Sequence, residues 1–256
     1  MLDVSAFVLT QNSERTIKAC LESVQWCDSV VLIDSFSEDD TLNIAKAYEN
    51  VIIHQHQYTN AREQRTWGMR HVQTQWVFII DSDEYCPPNL RDKILSILQS
   101  SDTQHDGYLF MTRTIFMGKL LTHQDYLSSY GKRLVHTNIA TRYWRNTRVH
   151  ASIRLDNKKY IARKYYLVHN PIASFSQHIS KASKYAMWQA QDMYDNNKKA
   201  YWWHFVLRPG GKFLRHYLMN GGWRDGMQGF VICALGASCV FLKFLYLKEL
   251  WSHESR

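Results

Sequence analysis

The feature that most constrains the fold is the regular alternation of short apolar runs with amphipathic segments over about the first hundred residues. The apolar runs are long enough for buried strands and too short for helices; they cover residues 4–9, 30–33, 51–54 and 76–80. The segments after them have apolar side chains at helical spacing and cover residues 13–24, 37–48, 61–71 and 90–98. Residues 37–40, at the start of the second of these segments, are typical of a capping box. This order predicts an α/β fold with a mainly parallel sheet covered by helices.

The second half of the chain has a looser pattern. Residues 108–114 and 142–155 predict strands, and the stretch between them, rich in Tyr, His and Lys, predicts a loop. Residues 180–196 predict a helix. Residues 226–242 then form a run of seventeen residues without a charge. Because spanning a bilayer takes about 20 apolar residues, we expect this run, which contains Gln228, to be too short to cross.

The C-terminal region mixes cations with aromatic side chains in a way that suits a lipid headgroup region. These residues are Lys212, Arg215, His216, Arg224, Trp202, Trp203, Phe213, Tyr217 and Trp223. We expect a pair of helices that lie on a membrane face or dip into it. A buried hairpin that packs against the main domain is the alternative.

Charge is distributed unevenly along the chain. Residues 1–107 contain 8 Lys and Arg against 16 Asp and Glu, a net charge of −8, whereas residues 108–256 contain 23 against 7, a net charge of +16. The acidic half suits metal or donor chemistry. The basic half suits an anion, whether nucleic acid, a phospholipid surface or a pyrophosphate-bearing substrate. A soluble enzyme with a high isoelectric point is compatible with the same distribution.

The cysteines and the first residues bear on the cellular compartment. The five cysteines form no CxxC pair and have no zinc-ligand spacing, and the first residues show neither a basic leader nor a cleavage site. We therefore expect a reducing, cytosolic location.

Carboxylates end two of the predicted strands. Asp34 follows the second apolar run, and Asp81, Asp83 and Glu84 follow the fourth. Ligands of an open parallel sheet bind beyond the carboxyl ends of its strands. Acids this close together repel one another unless a cation neutralises them, and such oxygen ligands suit Mg²⁺ or Mn²⁺ bound to phosphate. An acidic surface turn is the alternative, but the position at two strand ends favours a metal site.

Two arginines and two histidines are further candidates. Arg62 and Arg65 begin the helix that precedes the acidic strand, where they can face a phosphate; solvated arginines on an exposed helix face are the alternative. His150 and His169 each end an apolar run and are the histidines that can reach a site.

Several common chemistries lack their motifs. The sequence has no GxxxxGK[ST] loop and no GxGxxG after a strand, which argues against ATP hydrolysis and dinucleotide binding. It has no GxSxG elbow and no HExxH helix. No nucleic-acid-binding module is recognisable, and the acidic first half would repel a phosphate backbone, so we expect no nucleic-acid partner.

Three motifs resemble the signature series of family-two glycosyltransferases: residues 8–14 (VLTQNSE), 31–41 (VLIDSFSEDDT) and 81–84 (DSDE). The chain is most similar to the lipopolysaccharide-core β-glucosyltransferase type. With that group it shares Phe116-Met117-Gly118-Lys119, Arg133-Leu134, Val149-His150 and a helical, aromatic-rich tail. The resemblance covers nearly the whole chain. It implies a glycosyltransferase A-type fold, Rossmann-like with helices on both sheet faces, plus a helical, membrane-associating C-terminal extension.

The resemblance also implies an inverting, metal-dependent transfer of a hexose from a nucleotide sugar, with a UDP-hexose as donor and Mn²⁺ or Mg²⁺ as cofactor. The residues it places in the donor site are Thr10, Asn12 and Glu14 around the nucleoside, Asp34 at the uracil, Arg65 near the base or diphosphate, Asp81 at the ribose, and Ser82 beside it. Asp83 would hold the metal, and Asp81 and His150 are further metal candidates. The candidates for acid–base chemistry are Glu84, Asp125 and His150, with the base unassigned.

The chain departs from the family pattern at two positions. Ser13 stands where the family usually has an acid, which affects the ribose contact. Ala151 stands where the subfamily tends to have a glutamate after the valine–histidine pair, so that the task of this glutamate is vacant or reassigned.

These inferences predict a sugar transferase on the inner face of the bacterial cytoplasmic membrane, acting on a lipid-linked, lipopolysaccharide-type or capsule-type saccharide. Residues 1–107 would bind the nucleotide sugar, residues 108–178 would form the acceptor side, and residues 179–256 the helical extension; acceptor specificity is expected in the loop at residues 118–131. Two other functions stay open. One is a sugar-phosphate nucleotidyltransferase, although its glycine-rich, lysine-bearing loop is missing. The other is a catalytically degenerate transferase domain that acts as a membrane-bound assembly partner.

Overall fold

The computed structural model describes residues 2–100, 105–123, 130–140, 144–145, 152–171 and 175–254. The chain forms two compact units. The first consists of Met1–Thr114 and Ser128–Ile172, and the second of Ile115–Leu127 and Ala173–Arg256.

The strands of the described residues, in chain order, are β1 (Val4–Thr10), β2 (Ser29–Asp34), β3 (Val51–Gln55), β4 (Trp76–Asp81), β5 (Glu84–Tyr85), β6 (Gly107–Phe116), β7 (Lys119–Leu120), β8 (Tyr130–His136), β9 (Trp144–Arg145), β10 (Ser152–Ile153), β11 (Lys158–Tyr160) and β12 (Tyr166–His169). The α-helices are α1 (Ile17–Ser23), α2 (Thr41–Ala45), α3 (Ala61–Met69), α4 (Pro88–Gln99), α5 (Thr137–Ala140), α6 (Phe175–Asp195), α7 (Leu207–Leu214) and α8 (Gly226–Glu254).

The main sheet of the first unit has the strand order β3-β2-β1-β4-β8-β6-β12-β5. Strands β1 to β4 are parallel to one another, as their alternation with helices predicts. Strand β8 is antiparallel to both of its neighbours, β4 and β6, and it joins the parallel half to the rest of the sheet. The mainly parallel α/β architecture is therefore confirmed for the first half of the chain, and the second half adds mixed pairing.

The prediction of a loop between the strands at residues 108–114 and 142–155 was wrong for β8. Its sequence contains Lys132 and Arg133, which interrupt the apolar alternation by which a strand is recognised. Its place in the sheet comes from long-range pairing instead, because Leu134 lies opposite both Phe78 of β4 and Tyr108 of β6.

The single strand predicted over residues 142–155 was also wrong. The described part of this stretch consists of two short strands, β9 and β10, which pair with each other in antiparallel fashion. Because the two strands pair only with each other, they form a separate two-stranded sheet and add nothing to the main one.

Two helices begin differently from the prediction. Helix α1 begins at Ile17, four residues later than predicted, and the backbone N–H groups of Ser13 and Glu14 donate to Thr41 Oγ1 at 2.7 Å and Asp39 Oδ2 at 3.0 Å. The capping box predicted for residues 37–40 is not formed. Asp40 occupies the N-cap without a capping hydrogen bond, and the side chain of Asp39 accepts the N–H of Thr41 at 3.1 Å.

Apolar clusters cover both faces of the main sheet. On one face, side chains from β1, β2 and β4 pack against α1 and α4. On the other face they pack against α3 and α5. Gly68 lets α3 approach this second face closely, since a β-carbon there would lie 2.6 Å from Ile33 Cγ1 and 2.8 Å from Phe7 Cε2.

The described part of the second unit is helical except for the antiparallel pairing of Ile115 and Phe116 with β7. Its α6 starts at Phe175, five residues earlier than predicted, and packs along α8 through a cluster that contains Ala190, Phe244 and Leu247. Between α6 and α8 lie α7 and three short segments: the 3-10 helices Trp202–Phe205 and Gly222–Asp225 and the π-helix Arg215–Met219.

The length expected for the C-terminal apolar segment was wrong. Helix α8 does not stop at the end of the uncharged run, because Phe244–Leu247 continues the apolar sequence beyond Lys243. Gly222–Ser252 is long and apolar enough to cross a membrane by length and composition; its most apolar window of 18 residues has a mean hydropathy of 2.1 and is 17% buried. The C-terminal extension is thus a candidate membrane-associating segment.

Candidate active site

The carboxyl ends of β1, β2 and β4 bring the predicted carboxylates to one edge of the sheet. In the parallel register, Thr10 lies opposite Asp34, and Leu9 lies opposite Asp81. Asp34 and Asp81 therefore flank the end of β1 from its two sides. This is the edge at which an open parallel sheet binds its ligands.

Asp34 is fully buried and its carboxylate is held by three donors. Ser37 donates its hydroxyl to Oδ1 at 2.5 Å and its backbone N–H to both oxygens, at 3.1 and 3.2 Å. Gln55 Nε2 donates to Oδ2 at 3.0 Å. Each oxygen thus accepts two contacts, which matches the about four acceptor sites of a carboxylate.

The residues after β1 form hydrogen bonds with the loop that follows β2. Asn12 has a positive φ of 50°, its N–H donates to Ser37 Oγ at 2.8 Å, and its Oδ1 accepts the N–H of Glu38 at 2.9 Å. Glu14 Oε2 accepts the N–H of Asp40 at 3.3 Å. Thr10 is buried, and within the described residues its hydroxyl oxygen has no hydrogen-bond partner. Such an unsatisfied buried hydroxyl is costly unless a ligand completes it.

Asp81 is partly exposed and faces two arginines. Its Oδ1 lies 3.3 Å from Arg65 Nη2, and its Oδ2 lies 3.7 Å from Arg133 Nη1. Ser82, next along the chain, has its hydroxyl 2.9 Å from that of Ser13. Ser13, one of the two departures from the family pattern, thus contacts the acidic turn through a neutral hydrogen bond. Arg62, by contrast, is exposed and makes no ion pair among the described residues.

Glu84 is buried and forms an ion pair with Arg133. Arg133 Nη2 donates to Glu84 Oε1 at 2.6 Å, and Glu84 Oε2 accepts the N–H of Asp81 at 3.0 Å. Burial raises the pKa of Glu84, and the charge of Arg133 opposes this shift. For Arg133, burial lowers the pKa, but the charges of Glu84 and Asp81 outweigh it and the net shift is upward. The hydrogen bonds of Glu84 to Arg133 and to the N–H of Asp81 hold the turn at residues 81–84.

Sequence reasoning gave Arg133 no role in the site. The guanidinium also donates to the carbonyl of Ile79 at 3.4 Å and to Thr112 Oγ1 at 3.2 Å, so it ties β4 and β6 to the acidic turn. Its signal in the sequence was its position: Arg133 is a charged residue inside a stretch otherwise compatible with a strand. Because charged side chains are seldom buried unless they are paired, such a position indicates an ion pair.

Asp83 and His169 meet at the same edge. Asp83 Oδ2 lies 3.0 Å from His169 Nε2, and the carbonyl of Asp83 accepts the N–H of Asn170 at 2.8 Å. Strand β12 places His169 opposite Glu84 in an antiparallel pair. Burial lowers the pKa of His169, but the hydrogen bond and charge of Asp83 outweigh it, so the pKa lies above its ordinary value. Of the two histidines expected to reach a site, His169 does so; His150 lies outside the described residues, as does Asp125.

The Asp83–His169 pair fits a divalent metal in its donor chemistry. A carboxylate oxygen and an imidazole nitrogen at the edge of a sheet are ligands that Mn²⁺ accepts. No group of three or more His, Cys, Asp or Glu suitable for a metal occurs among the described residues. Two protein ligands would leave the other positions of an ion to phosphate oxygens and water.

Comparison with solved structures shows the same fold. The Staphylococcus aureus protein TarS, residues 1–349, in complex with UDP-GlcNAc has a TM-score of 0.56 at 14% identity, covering 98% of this chain and 92% of that one. The mannosyltransferase PcManGT from Pyrobaculum calidifontis, in complex with GDP-Man and Mn²⁺, has a TM-score of 0.55 at 12% identity, covering 98% and 87%. The fold is thus the glycosyltransferase A type expected from the motifs.

The family model for glycosyl transferase family 2 matches residues 5–219, most of the chain. The chain therefore belongs to glycosyltransferase family 2 and is a glycosyltransferase, as the motifs at residues 8–14, 31–41 and 81–84 predict.

Similar curated proteins cover nearly the whole chain. The lipopolysaccharide core biosynthesis glycosyltransferase LpsC of Rhizobium meliloti (strain 1021) is 27% identical over 245 residues, which is 94% of this chain and 90% of LpsC. An uncharacterized glycosyltransferase of Rickettsia typhi is 26% identical over 260 residues, covering 98% of this chain and 88% of that protein.

Proposed function

We propose that this enzyme transfers a hexose from a UDP-sugar, with inversion at the anomeric carbon, to a saccharide acceptor of the lipopolysaccharide or lipid-linked class. Two comparisons support the substrate classes. LpsC is named for lipopolysaccharide core biosynthesis, and TarS binds UDP-GlcNAc. The observation that carries the proposal is the convergence of Asp34, Asp81 and the Asp83–His169 pair on one sheet edge.

The donor nucleoside would bind at the ends of β1 and β2. Asp34 would accept the N3–H of uracil, which requires Ser37 or Gln55 to give up one of the four contacts on its buried carboxylate. The buried hydroxyl of Thr10 supplies a further polar contact nearby. Asn12 and Glu14 contribute by holding the loop at residues 35–40, and Asp81 would face the ribose with Ser82 beside it.

The diphosphate would bind near Asp83, His169 and Arg65. Asp83 and His169 are the residues that would hold a divalent metal, with Asp81 as a further candidate. Such an ion neutralises the negative charge that develops on a departing diphosphate. Arg65 is a cation 3.3 Å from Asp81 and can turn toward a phosphate oxygen at the same edge.

The structure favours a positioning role for Glu84. Its carboxylate is buried and paired with Arg133, so we propose that it orients the turn at residues 81–84 and does not take the proton of the acceptor hydroxyl. Asp125 and His150 stay candidates for acceptor-side chemistry, and the base is unassigned.

The partners outside the donor site are proposed from the second unit. A lipid-linked acceptor and an anionic surface on the inner face of the cytoplasmic membrane would suit the apolar α8 and the basic second half. Residues 1–107 would then bind the donor, residues 108–178 the acceptor, and residues 179–256 the membrane.

The test is donor hydrolysis and transfer, with a panel of nucleotide sugars and Mn²⁺ or Mg²⁺. We expect Asp83→Ala and His169→Ala each to lower kcat by at least about 100-fold, the usual cost of removing one group that stabilises developing charge. Both variants should also bind Mn²⁺ more weakly in calorimetric titration with UDP present. The exposed Asp92→Ala on α4 is the matched control and should leave both measurements unchanged.

Metal-independent turnover that is unchanged in Asp83→Ala would overturn the proposed metal role. UDP binding without turnover on any donor would instead favour the degenerate assembly partner.

A further inference from the structure

Residues 196–224, which lie between α6 and the buried Asp225 that precedes α8, carry positive charge and no acid. Residues 196–224 contain six Lys and Arg and no Asp or Glu; the cations are Lys198, Lys199, Arg208, Lys212, Arg215 and Arg224. Within the described part of the chain, Arg208, Lys212 and Arg215 form no ion pair. A run of cations without counter-charges attracts an anionic partner.

The same segment exposes large apolar side chains. Trp202 is 79% exposed and Met219 is 81% exposed. The other exposed apolar residues here are Tyr201, Trp203, Val206, Leu207, Leu214, Leu218 and Trp223. Contiguous apolar exposure of this kind marks an interaction surface. Aromatic rings beside cations are typical of the interface between water and lipid headgroups.

Along α7 and the π-helix after it, the exposed apolar side chains and the cations lie on different sides. Leu207, Leu214 and Leu218 follow helical spacing and lie on one side. Arg208, Lys212 and Arg215 are spaced by four and three residues and lie on the adjacent side. A face of this kind, apolar with flanking cations, suits a helix that lies in the plane of a membrane.

The third side of α7 is fixed to α8 and holds this orientation. The rings of Phe213 and Tyr217 lie 5.6 and 5.8 Å from the ring of Phe230, in edge-to-face contacts. On the cationic side, Lys243 of α8 is partly buried, and burial, followed by the charges of Lys212 and Arg208, lowers its pKa. Cations from two helices therefore lie close enough to repel one another, and an anion would relieve their repulsion.

We propose that the α7 face, defined as Leu207, Leu214 and Leu218 with Arg208, Lys212 and Arg215, docks in the plane of an anionic phospholipid surface. The leucines and Trp202 would enter the headgroup region, and the cations would contact lipid phosphates. This role rests on the proposed function, because the enzyme would meet its lipid-linked acceptor at the same membrane surface.

Contacts within the second unit argue against α8 crossing the bilayer instead. Helix α6 is bound along α8, with the hydroxyls of Ser183 and Tyr246 at 2.6 Å and Trp251 Nε1 donating to the carbonyl of Lys198 at 2.8 Å. The outer side of α6 exposes Lys184 and Asp195, among other polar residues. Crossing would bury these charges in hydrocarbon or remove α6 from α8, and both are costly.

The test is flotation of the full chain with vesicles of phosphatidylcholine alone and of phosphatidylcholine and phosphatidylglycerol in equal parts. We expect strong binding to the anionic vesicles only, lost in high salt. Each cation near an anionic surface contributes about 1 kcal/mol, so Arg208→Gln, Lys212→Gln and Arg215→Gln together should weaken binding by about 100-fold. The double variant Leu207→Gln and Leu214→Gln should also weaken vesicle binding, and lowering the salt concentration should not restore that binding.

The matched control removes three exposed cations of the first unit, by Lys18→Gln, Lys46→Gln and Lys158→Gln, and should bind as the wild type does. Circular dichroism and hydrolysis of soluble UDP-sugar check each variant, because loss of vesicle binding with intact hydrolysis separates this surface from the donor site. Equal weakening in the control variant would overturn the proposal. So would wild-type protein that resists extraction by alkaline carbonate, which would make α8 a spanning helix.

Discussion

At the scale of single residues, the ion pair of Arg133 with Glu84 is central to the stability of the site. We expect Arg133→Met to lower the free energy of unfolding by about 3–5 kcal/mol, because it leaves a buried carboxylate without its counter-charge. Urea unfolding followed by circular dichroism measures this. Adding Glu84→Leu should recover part of the loss, since a buried pair can be replaced by apolar side chains.

The control for this prediction is Arg91→Met, which removes an exposed pair with Asp92 at 2.8 Å, against 2.6 Å for the buried pair. It should cost less than about 1 kcal/mol, as exposed pairs do. Equal losses in Arg133→Met and Arg91→Met would contradict the role assigned to the buried pair.

A second residue, Asp225, anchors the loop that leads into the predicted acceptor segment. Its buried carboxylate accepts the N–H groups of Thr122 and His123 at 3.1 and 3.2 Å, and its carbonyl accepts Lys119 Nζ at 2.9 Å. Asp225→Ala would leave these backbone donors unsatisfied, at a cost of about 1–3 kcal/mol. We expect a raised KM for the acceptor with unchanged donor hydrolysis.

Steady-state kinetics on both reactions measure this effect, with the exposed Asp92→Ala, outside residues 108–178, as the control. Acceptor KM values that match in Asp225→Ala and the wild type would remove the support for an acceptor loop at residues 118–131.

At the scale of elements, the start of α8 depends on a glycine. A β-carbon on Gly229 would lie 1.9 Å from the carbonyl oxygen of Gly222, whereas one on Gly236 would meet only the flexible end of Lys212 at 3.7 Å or beyond. We expect Gly229→Ala to lower the free energy of unfolding of the second unit by about 1–3 kcal/mol through overpacking. Gly236→Ala, its matched control, should be neutral or stabilising by up to about 1 kcal/mol, because alanine favours a helix.

Thermal unfolding monitored by tryptophan fluorescence measures both variants. The prediction fails if the two alanine variants melt at the same temperature.

The elements also show where local patterns are informative. Strands β1, β2, β3 and β4 were predicted within one residue of each end, because each is a contiguous apolar run flanked by a helix. Strand β8 was missed because Lys132 and Arg133 obscure its alternation, and its pairing with β4 and β6 brings together segments far apart in sequence.

At the scale of the whole molecule, ligand binding should raise the free energy of unfolding, because the ligand binds the folded state and not the unfolded one. At concentrations 100-fold above the dissociation constant, UDP with Mn²⁺ should stabilise the protein by about 2.7 kcal/mol, or about 5–10 °C in Tm. Differential scanning fluorimetry measures the shift. Asp83→Ala should lose the part of it that depends on Mn²⁺ and keep the part due to UDP.

The nucleoside diphosphates of the other bases, which carry no hexose, serve as controls for this measurement. A shift that is the same for every nucleotide would count against uracil recognition by Asp34, and no shift with any would count against a donor site.

The sequence by itself determined the parallel half of the sheet, the family, and the position of Asp34 and Asp81 at strand ends, because these follow from the order of residues along short contiguous segments. Only the tertiary structure decided that Arg133 binds Glu84 and that His169, 86 residues from Asp83, meets it at 3.0 Å. It also decided which side of α7 is covered by α8. These contacts join segments distant in the chain, and the period of a local pattern carries no information about which partner a side chain will meet.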